Sequence, residues 1–575
     1  MLKRALAALL LVPALLVPAL LIPALIAAPP AKARPKLVVV IAVDQFSAEL
    51  MQTYGPELTG GIARLRKEGV FFTEAYHDHG FTETGPGHSV LLSGRFPANT
   101  GIVENRWLDR STGKVVYCVD DPAARTLLTP GPAGVSNARF LGDGLGDWLQ
   151  AQVPGSRVFA VAGKDRAAIL LAGRKPTGAF WFASPVGFTS STAYAENLPE
   201  WLLRYDQELT ARLTGESWLW SKAPGTPEGR SSQWTFGAWT VRNGALPRLI
   251  QGVGMPLDKA FEVRFRKSPF LDAVTFEAAE ALLTGEHLGR GPGTDLLAIS
   301  FSATDYIGHG LGTLGTEMRD QVHRLDHLLG RLLERLRRQY PQAWVVLSSD
   351  HGGLDIPEAL ADQGYPARRL LPEPFMAALQ ASLRATFKVE RDLLLPATEP
   401  TTLFLHDAAV QASNLDRREV IRQAQAWLRT RPEVAEAFTA EELLATDPAV
   451  AGSPRDTSLR VLLRRSFHPE RSGDLLLAVK PFVVIGAPYP DYLANHGTPN
   501  AYDRRVPLIF WGPWKAGRRN EPVRTVDLAP TLARELGLQS GPVDGQALDL
   551  GKRTSTRNQY VSRIGNADTE KGSKK

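Results

Sequence analysis

The chain is almost without cysteine: Cys118 is the only one in 575 residues. No internal disulfide is open to it, and the N-terminal region offers no cysteine for acylation. Thiolate-built structural zinc sites and iron–sulfur clusters are disfavoured for the same reason. Cys118 stands in the apolar run Val115 to Val119 and is expected to be a buried, unreactive thiol. The chain also lacks a charge excess where one would matter. A pI near 9.2 with a formal charge of +6 looks like the footprint of a nucleic-acid binder. However, residues 1–33 carry three basic and no acidic residues, and the segment from Gly551 carries seven basic and two acidic ones. That leaves 34–550 at a net −2, so no specific nucleic-acid partner is expected.

What is present begins with an address. Lys3 and Arg4 precede an apolar stretch from Ala5 to Ala28, and Ala31-Lys32-Ala33 follows as a small-x-small cleavage site. This is the pattern of a signal peptide over 1–33, predicting a periplasmic or secreted product with no stable membrane insertion after cleavage. An uncleaved anchor is the rival, since the stretch is long enough to span a bilayer. Pro13, Pro18 and Pro23 argue against it, each removing a helix hydrogen bond. The polar tail 551–575 is expected to be disordered.

Three apolar runs lead to aspartates. Leu37 to Val43 ends at Asp44. Asp295 to Ser302 leads to Asp305 with His309 four residues on, and Trp344 to Leu347 leads to Asp350-His351. Short, nearly continuous apolar runs predict strands buried on both faces, hence an α/β fold with a mostly parallel central sheet sandwiched by helices. Ligands gather beyond the carboxyl ends of such strands. Val158 to Ala162 predicts another strand, with Lys164 and Arg166 just after it. Thr316 to Tyr340 predicts an amphipathic helix. Its His323 and His327 are read as solvated, because no third ligand stands nearby. Weakly periodic sequence at about 177–293 predicts an inserted cap, and about 356–489 a small α+β subdomain, both within a catalytic domain spanning 34–550. The core resumes near His496.

Asp44, Asp305, His309, Asp350, His351 and His496 make three carboxylates and three imidazoles, a donor set that suits two ions of the zinc class. Each piece alone reads as a strand-end turn or a helix cap; the convergence on one rim carries the argument. Thr84, in the turn Thr82 to Ser89 before an apolar helix, reads either as an N-cap or, beside metal, as a nucleophile. His88 reads as a structural histidine.

In that order, these motifs resemble the alkaline phosphatase superfamily, in particular its threonine-nucleophile branch of phosphate-irrepressible bacterial phosphatases. The matching stretches are DQF at 44–46, TGPGHS at 84–89, GIVENRW at 101–107, GKDRAA at 163–168 and HGTPNAYDRRVPL at 496–508, with the late helix Thr525 to Leu538. The resemblance implies two Zn2+ ions. One is held by Asp305, His309 and His496, the other by Asp44, Asp350, His351 and the Thr84 oxygen. It also implies substrate contacts from Asn105, Lys164 and Arg166, with Thr84 forming a phosphothreonine. The paired cations suit the dianionic group of a phosphate monoester. A phosphodiesterase or nucleotide pyrophosphatase on the same fold is the nearest alternative. A sulfatase is disfavoured because Thr84-Gly85-Pro86 lacks the modified residue and arginine of that class. An exported binding protein without turnover is disfavoured because the threonine and both donor sets are intact.

Overall fold

Near-continuous apolar runs cannot leave a face in water, and in this protein they collect in one sheet. The computed structural model describes residues 34–127, 134–183, 187–237, 239–396, 401–449 and 452–551; the expected signal segment and the tail beyond Gly551 lie outside them. The strands are β1 (Leu37–Val43), β2 (Val70–Tyr76), β3 (Val158–Ala162), β4 (Gly178–Ala183) and β5 (Gly187–Thr189). They continue as β6 (Asp295–Phe301), β7 (Trp344–Ser348), β8 (Arg505–Trp511), β9 (Gly517–Arg519) and β10 (Val523–Arg524). The order is β9-β2-β8-β7-β1-β6-β3-β4-β5, with β10 also on β2. The run β7-β1-β6-β3-β4 is parallel throughout. β8 lies antiparallel to both β7 and β2, and β5 is antiparallel to β4. The sheet is therefore mixed but mostly parallel, as expected.

Side chains alternate along β1 between two cores. Val39, Ile41 and Val43 face one cluster; Val38, Val40 and Ala42 face the other. Six helices matter to the site: α1 (Thr84–Ser93), α2 (Asp165–Ala172), α3 (Phe270–Gly285), α4 (Ala303–Leu311), α5 (Thr316–Gln339) and α6 (Leu528–Leu536). The first cluster packs against Val274 of α3 and Leu325, Leu329 and Leu332 of α5. The second packs against Ala168 of α2 and Leu528 and Leu532 of α6. On α5, His323 pairs with Glu57 at 3.2 Å.

Register then fixes where the strands stop. Val43 stands opposite Phe301, Ala42 opposite Ser348, and Ser300 opposite Ala162. Four parallel strands end in line, so the residues after them share one rim.

Within the segment expected as a cap, β4 and β5 join the central sheet, and α3 packs beneath it. An antiparallel pair, Trp218–Trp220 with Arg248–Gln251, and a hairpin, Ser232–Phe236 with Trp239–Asn243, lie between them. Between 356 and 489, Thr402–Leu403, Val434–Thr439 and Leu475–Val479 form a three-stranded antiparallel sheet. Its own apolar cluster includes Leu379, Leu383, Val420, Leu428 and Leu477.

Candidate metal centre and nucleophile

Asp44 follows β1 directly, Asp350 and His351 follow β7, and Asp305 and His309 lie on one face of α4 just after β6. His496 arrives from the far side, in the loop after the small subdomain. The structure gathers all six. Asp44, Asp350 and His351 form one group, and Asp305, His351 and His496 another, with donor atoms in each within 4.8 Å of one another. His351 borders both groups. His309 joins at 3.3 Å from Asp305 Oδ1.

The histidines share one device. His309 Nδ1 meets Ala494 O at 2.7 Å, His351 Nδ1 meets Gly352 O at 2.8 Å, and His496 Nδ1 meets Thr82 O at 2.9 Å. A carbonyl only accepts, so each Nδ1 carries a proton and each ring turns its Nε2 inward. Burial lowers the pKa values of His351 and His496, keeping those rings neutral.

This donor set fits metal. Among the described residues, Asp44 Oδ1, Asp305 Oδ1 and His351 Nε2 are buried and take no hydrogen bond. His351 Nε2 lies 3.4 Å from Asp44 Oδ1 and 3.3 Å from Asp350 Oδ2, and His496 Nε2 lies 3.4 Å from Asp305 Oδ1. Two ligands on one tetrahedral zinc at its usual bond lengths stand about 3.3–3.5 Å apart. Three buried carboxylates also outnumber their cation. Lys164 Nζ sits 2.5 Å from both Asp44 Oδ2 and Asp305 Oδ2. Burial, with repulsion from Asp305 and Asp350, pushes Asp44 well above the usual carboxylate range. Burial also opposes ionisation of Asp305, but Lys164 and His309 outweigh it and hold Asp305 well below that range. One ammonium thus leaves part of the charge uncompensated.

The nucleophile candidate stands at the edge of this basin. Thr84 is not an N-cap: Glu83 holds that place with extended backbone, and Thr84 opens the helix. Its hydroxyl is free for other work. Thr84 Oγ1 accepts from Arg166 Nη2 at 3.2 Å and faces Lys164 Nζ at 3.4 Å. Both cations come from the start of α2, where Lys164 is the N-cap. Gly87 brings α1 close to the basin, since a Cβ there would fall 2.0 Å from Asp350 O.

Asn105 is held at both ends. Its Oδ1 accepts from Gly85 N–H at 2.7 Å, and its own N–H donates to Glu83 Oε2 at 2.6 Å. Cys118 is buried behind this turn, and burial raises its thiol pKa. His88 bridges Thr84 O at 2.9 Å, Asp350 Oδ2 at 3.0 Å and Ser300 Oγ at 2.9 Å. It is structural, yet it touches a carboxylate of the basin.

Sequence reasoning missed three neighbours. Tyr117 accepts from Arg166 Nη1 at 3.2 Å and donates to Asp165 at 2.6 Å, fixing the guanidinium. Glu83 fixes Asn105. Tyr306, beside Asp305, lays its ring 4.9 Å from Lys164 Nζ. Only the tyrosine within the Asp305-x-x-x-His309 motif stood where sequence could flag it.

The family model for type I phosphodiesterase/nucleotide pyrophosphatase matches residues 38–499. Alkaline phosphatase PhoK of a Sphingomonas species is 36% identical over 92% of this chain and 94% of its own length. Alkaline phosphatase PhoD of Zymomonas mobilis is 35% identical over 91% of this chain and 89% of its own. The crystal structure of wild-type alkaline phosphatase PafA is similar with a TM-score of 0.79 and 26% identity, covering 91% of this chain and 100% of that one. The chain thus belongs to the type I phosphodiesterase/nucleotide pyrophosphatase family, and within it resembles the bacterial alkaline phosphatases.

Proposed function

We propose that this protein is an exported, zinc-dependent alkaline phosphatase that hydrolyses small phosphate monoesters through a phosphothreonine on Thr84. The observation that carries the reading is the convergence of Lys164 and Arg166 on Thr84 Oγ1 at the edge of the donor basin. Residues 1–33 would direct export, 34–550 form the catalytic domain with its two insertions, and 551–575 form a tail.

Two zinc ions in these donor groups would lower the pKa of a hydroxyl and of water, and carry charge developing on the leaving oxygen. Three imidazoles among six donors favour zinc over magnesium. Lys164 and Arg166 hold the transferring phosphoryl group against Thr84 and complement its charge as it moves. Asn105, its carbonyl committed to Gly85, offers its amide donors to a phosphoryl oxygen. The Thr84 O–P bond forms as the ester P–O bond breaks, and the leaving alcohol takes up a proton. Water then cleaves the Thr84 O–P bond, releasing phosphate and restoring the hydroxyl.

The name of the family model favours a second reading, hydrolysis of diesters or nucleotide pyrophosphates. The cation pair argues against it, because a diester carries one negative charge where a monoester carries two. Zinc-loaded protein should turn over methyl phosphate faster than dimethyl phosphate, and acid quenching should leave phosphate on Thr84. A preference for the diester would reverse the reading.

A further inference from the structure

Just before His496 the chain makes a tight turn, Tyr489-Pro490-Asp491-Tyr492. Tyr489 and Tyr492 exchange both backbone hydrogen bonds, at 3.2 and 2.9 Å, as an antiparallel pair. Residues directly opposite in such a pair point their side chains to the same face. The turn therefore presents two tyrosines side by side. They are 60% and 49% exposed, an unusual state for two large aromatic rings together. Among the described residues neither hydroxyl has a hydrogen bond.

The pair is fixed to the basin. The Tyr492 ring stacks on His309, centroids 4.2 Å apart and planes at 28°. Leu493 and Ala494 N–H both donate to His309 O, at 2.7 and 3.0 Å. Asp491 is ion-paired with Lys267. An exposed aromatic surface, tied to His309, thus borders the Asp305–His309–His496 group of the site. By contrast, Tyr306 commits its hydroxyl to Arg266 at 2.9 Å and its ring to Lys164.

We infer that Tyr489 and Tyr492 form a leaving-group subsite for flat aromatic groups, so that the enzyme favours monoesters whose alcohol carries an aromatic ring. This rests on the phosphomonoesterase reading above. Offset stacking of a substrate ring on fixed aromatic faces supplies the recognition, and it tolerates varied ring chemistry because every aromatic group has such a face.

Benzyl phosphate and methyl phosphate make the test, because their alcohols are leaving groups of similar basicity. In wild-type protein the benzyl ester should have the higher kcat/KM. In Tyr489→Ala/Tyr492→Ala the benzyl-to-methyl ratio should fall about tenfold, the size expected for lost ring stacking. Tyr489→Ala alone, which touches no basin residue, should lower the ratio in part. Tyr492→Phe should hold it. Inhibition by benzylphosphonate should weaken in parallel, relative to methylphosphonate. If wild type turns over neither ester, the monoesterase reading fails and the subsite falls with it. If wild type turns over both and the variants leave the ratio unmoved, the subsite alone is wrong. Equal losses on both esters would mean Tyr492 only supports His309.

Discussion

The protein buries two polar clusters that touch through His77, and they are built on opposite principles. In the basin, three carboxylates face imidazole nitrogens, and three inward atoms take no hydrogen bond among the described residues. In the neighbouring cluster one carboxylate, Asp78, is surrounded by three guanidinium groups. Arg465, Arg504 and Arg524 reach it at 2.5, 2.9 and 2.7 Å. The surplus donors there are occupied too: Arg504 bonds His77 O and Pro454 O, Arg524 bonds Gly452 O, and Arg465 bonds Pro448 O. His77 links the two, with Nε2 on Ser349 O at 2.8 Å and Nδ1 on Thr525 Oγ1 at 3.0 Å. A buried group left without a partner costs free energy, so its persistence marks a place for a cation or a reaction. A saturated cluster marks a structural tie, here between the core and the helix Leu459–Ser466. Both clusters are buried and charged; the sign of the surplus charge and the satisfaction of the hydrogen bonds separate them.

The sharpest way to break this contrast is to empty the basin. Chelation should abolish turnover, and zinc should restore it better than magnesium. Full activity in protein shown by elemental analysis to be free of zinc and transition metals would remove the basin's role. Thr84→Ala should lower turnover roughly a thousandfold or more while metal content and fold persist, since the covalent route is lost. A loss of only about tenfold, ~1.4 kcal/mol, would exclude that route.

Asp78→Ala is the matching test of the saturated cluster. It leaves three cations around an emptied position, two of them, Arg465 and Arg504, nearly fully buried. Breaking such a buried arrangement costs about 3–5 kcal/mol. Chemical denaturation should show that loss, while metal content and activity per folded molecule stay near wild type. Loss of bound metal at unchanged stability would mean that the two clusters are one functional unit.

Much of this was legible in the sequence because the signals are local. A buried strand declares itself by an unbroken apolar run, and a parallel register makes the residues after several such runs neighbours; hence Asp44, Asp305 and Asp350 could be placed together. β8 reads no differently from a parallel strand, and its reversed direction is set by connections that composition does not record. β4 is hard to separate from the expected cap in the sequence because Gly178, Pro176 and Gly187 break up the pattern around its aromatic run Phe180–Phe182. The contacts of Glu83 with Asn105 and of Tyr117 with Arg166 join segments 22 and 49 residues apart in the chain. The Tyr492–His309 stack joins segments farther apart still. The N-cap stays open as an alternative for Thr84 in the sequence because an N-cap and the first helical residue look alike there; only the backbone separates them.

Asp272 tests an intermediate case, a buried carboxylate with donors but no cation. It accepts from Ala303 N–H at 2.9 Å and Gln321 Nε2 at 2.6 Å, and so holds the start of α4 beneath Asp305. Burial outweighs these bonds and pushes its pKa up from 3.8 to about 7. The folded protein therefore keeps a proton that the unfolded chain has lost above about pH 4. Stability should fall as pH rises from about 4 to about 7 and then level off, by up to ~4 kcal/mol. Asp272→Asn should flatten that slope, with Gln321 turning its unpartnered Oε1 to accept from the new amide. An unchanged slope would show that Asp272 is ionised across this range.

The remaining test is the one that separates substrate classes. Lys164 and Arg166 belong to both sides of the comparison. They are cations at a carboxylate-rich basin, as the arginines are around Asp78, but they converge on the Thr84 oxygen and so meet the substrate. If they act on charge, removing both should hurt a dianionic monoester more than a monoanionic diester. Each charge-assisted contact is worth roughly 1.5–3 kcal/mol, so Lys164→Ala/Arg166→Ala should narrow the monoester-to-diester ratio at least tens-fold. Lys164 also bridges Asp44 and Asp305 at 2.5 Å, so the variant needs its zinc content measured alongside its rates. Retained zinc with a collapsed ratio fits substrate recognition. Equal losses on both esters would assign the pair to holding the basin together, as the arginines hold Asp78, and the diesterase reading would then stand level with the monoesterase one.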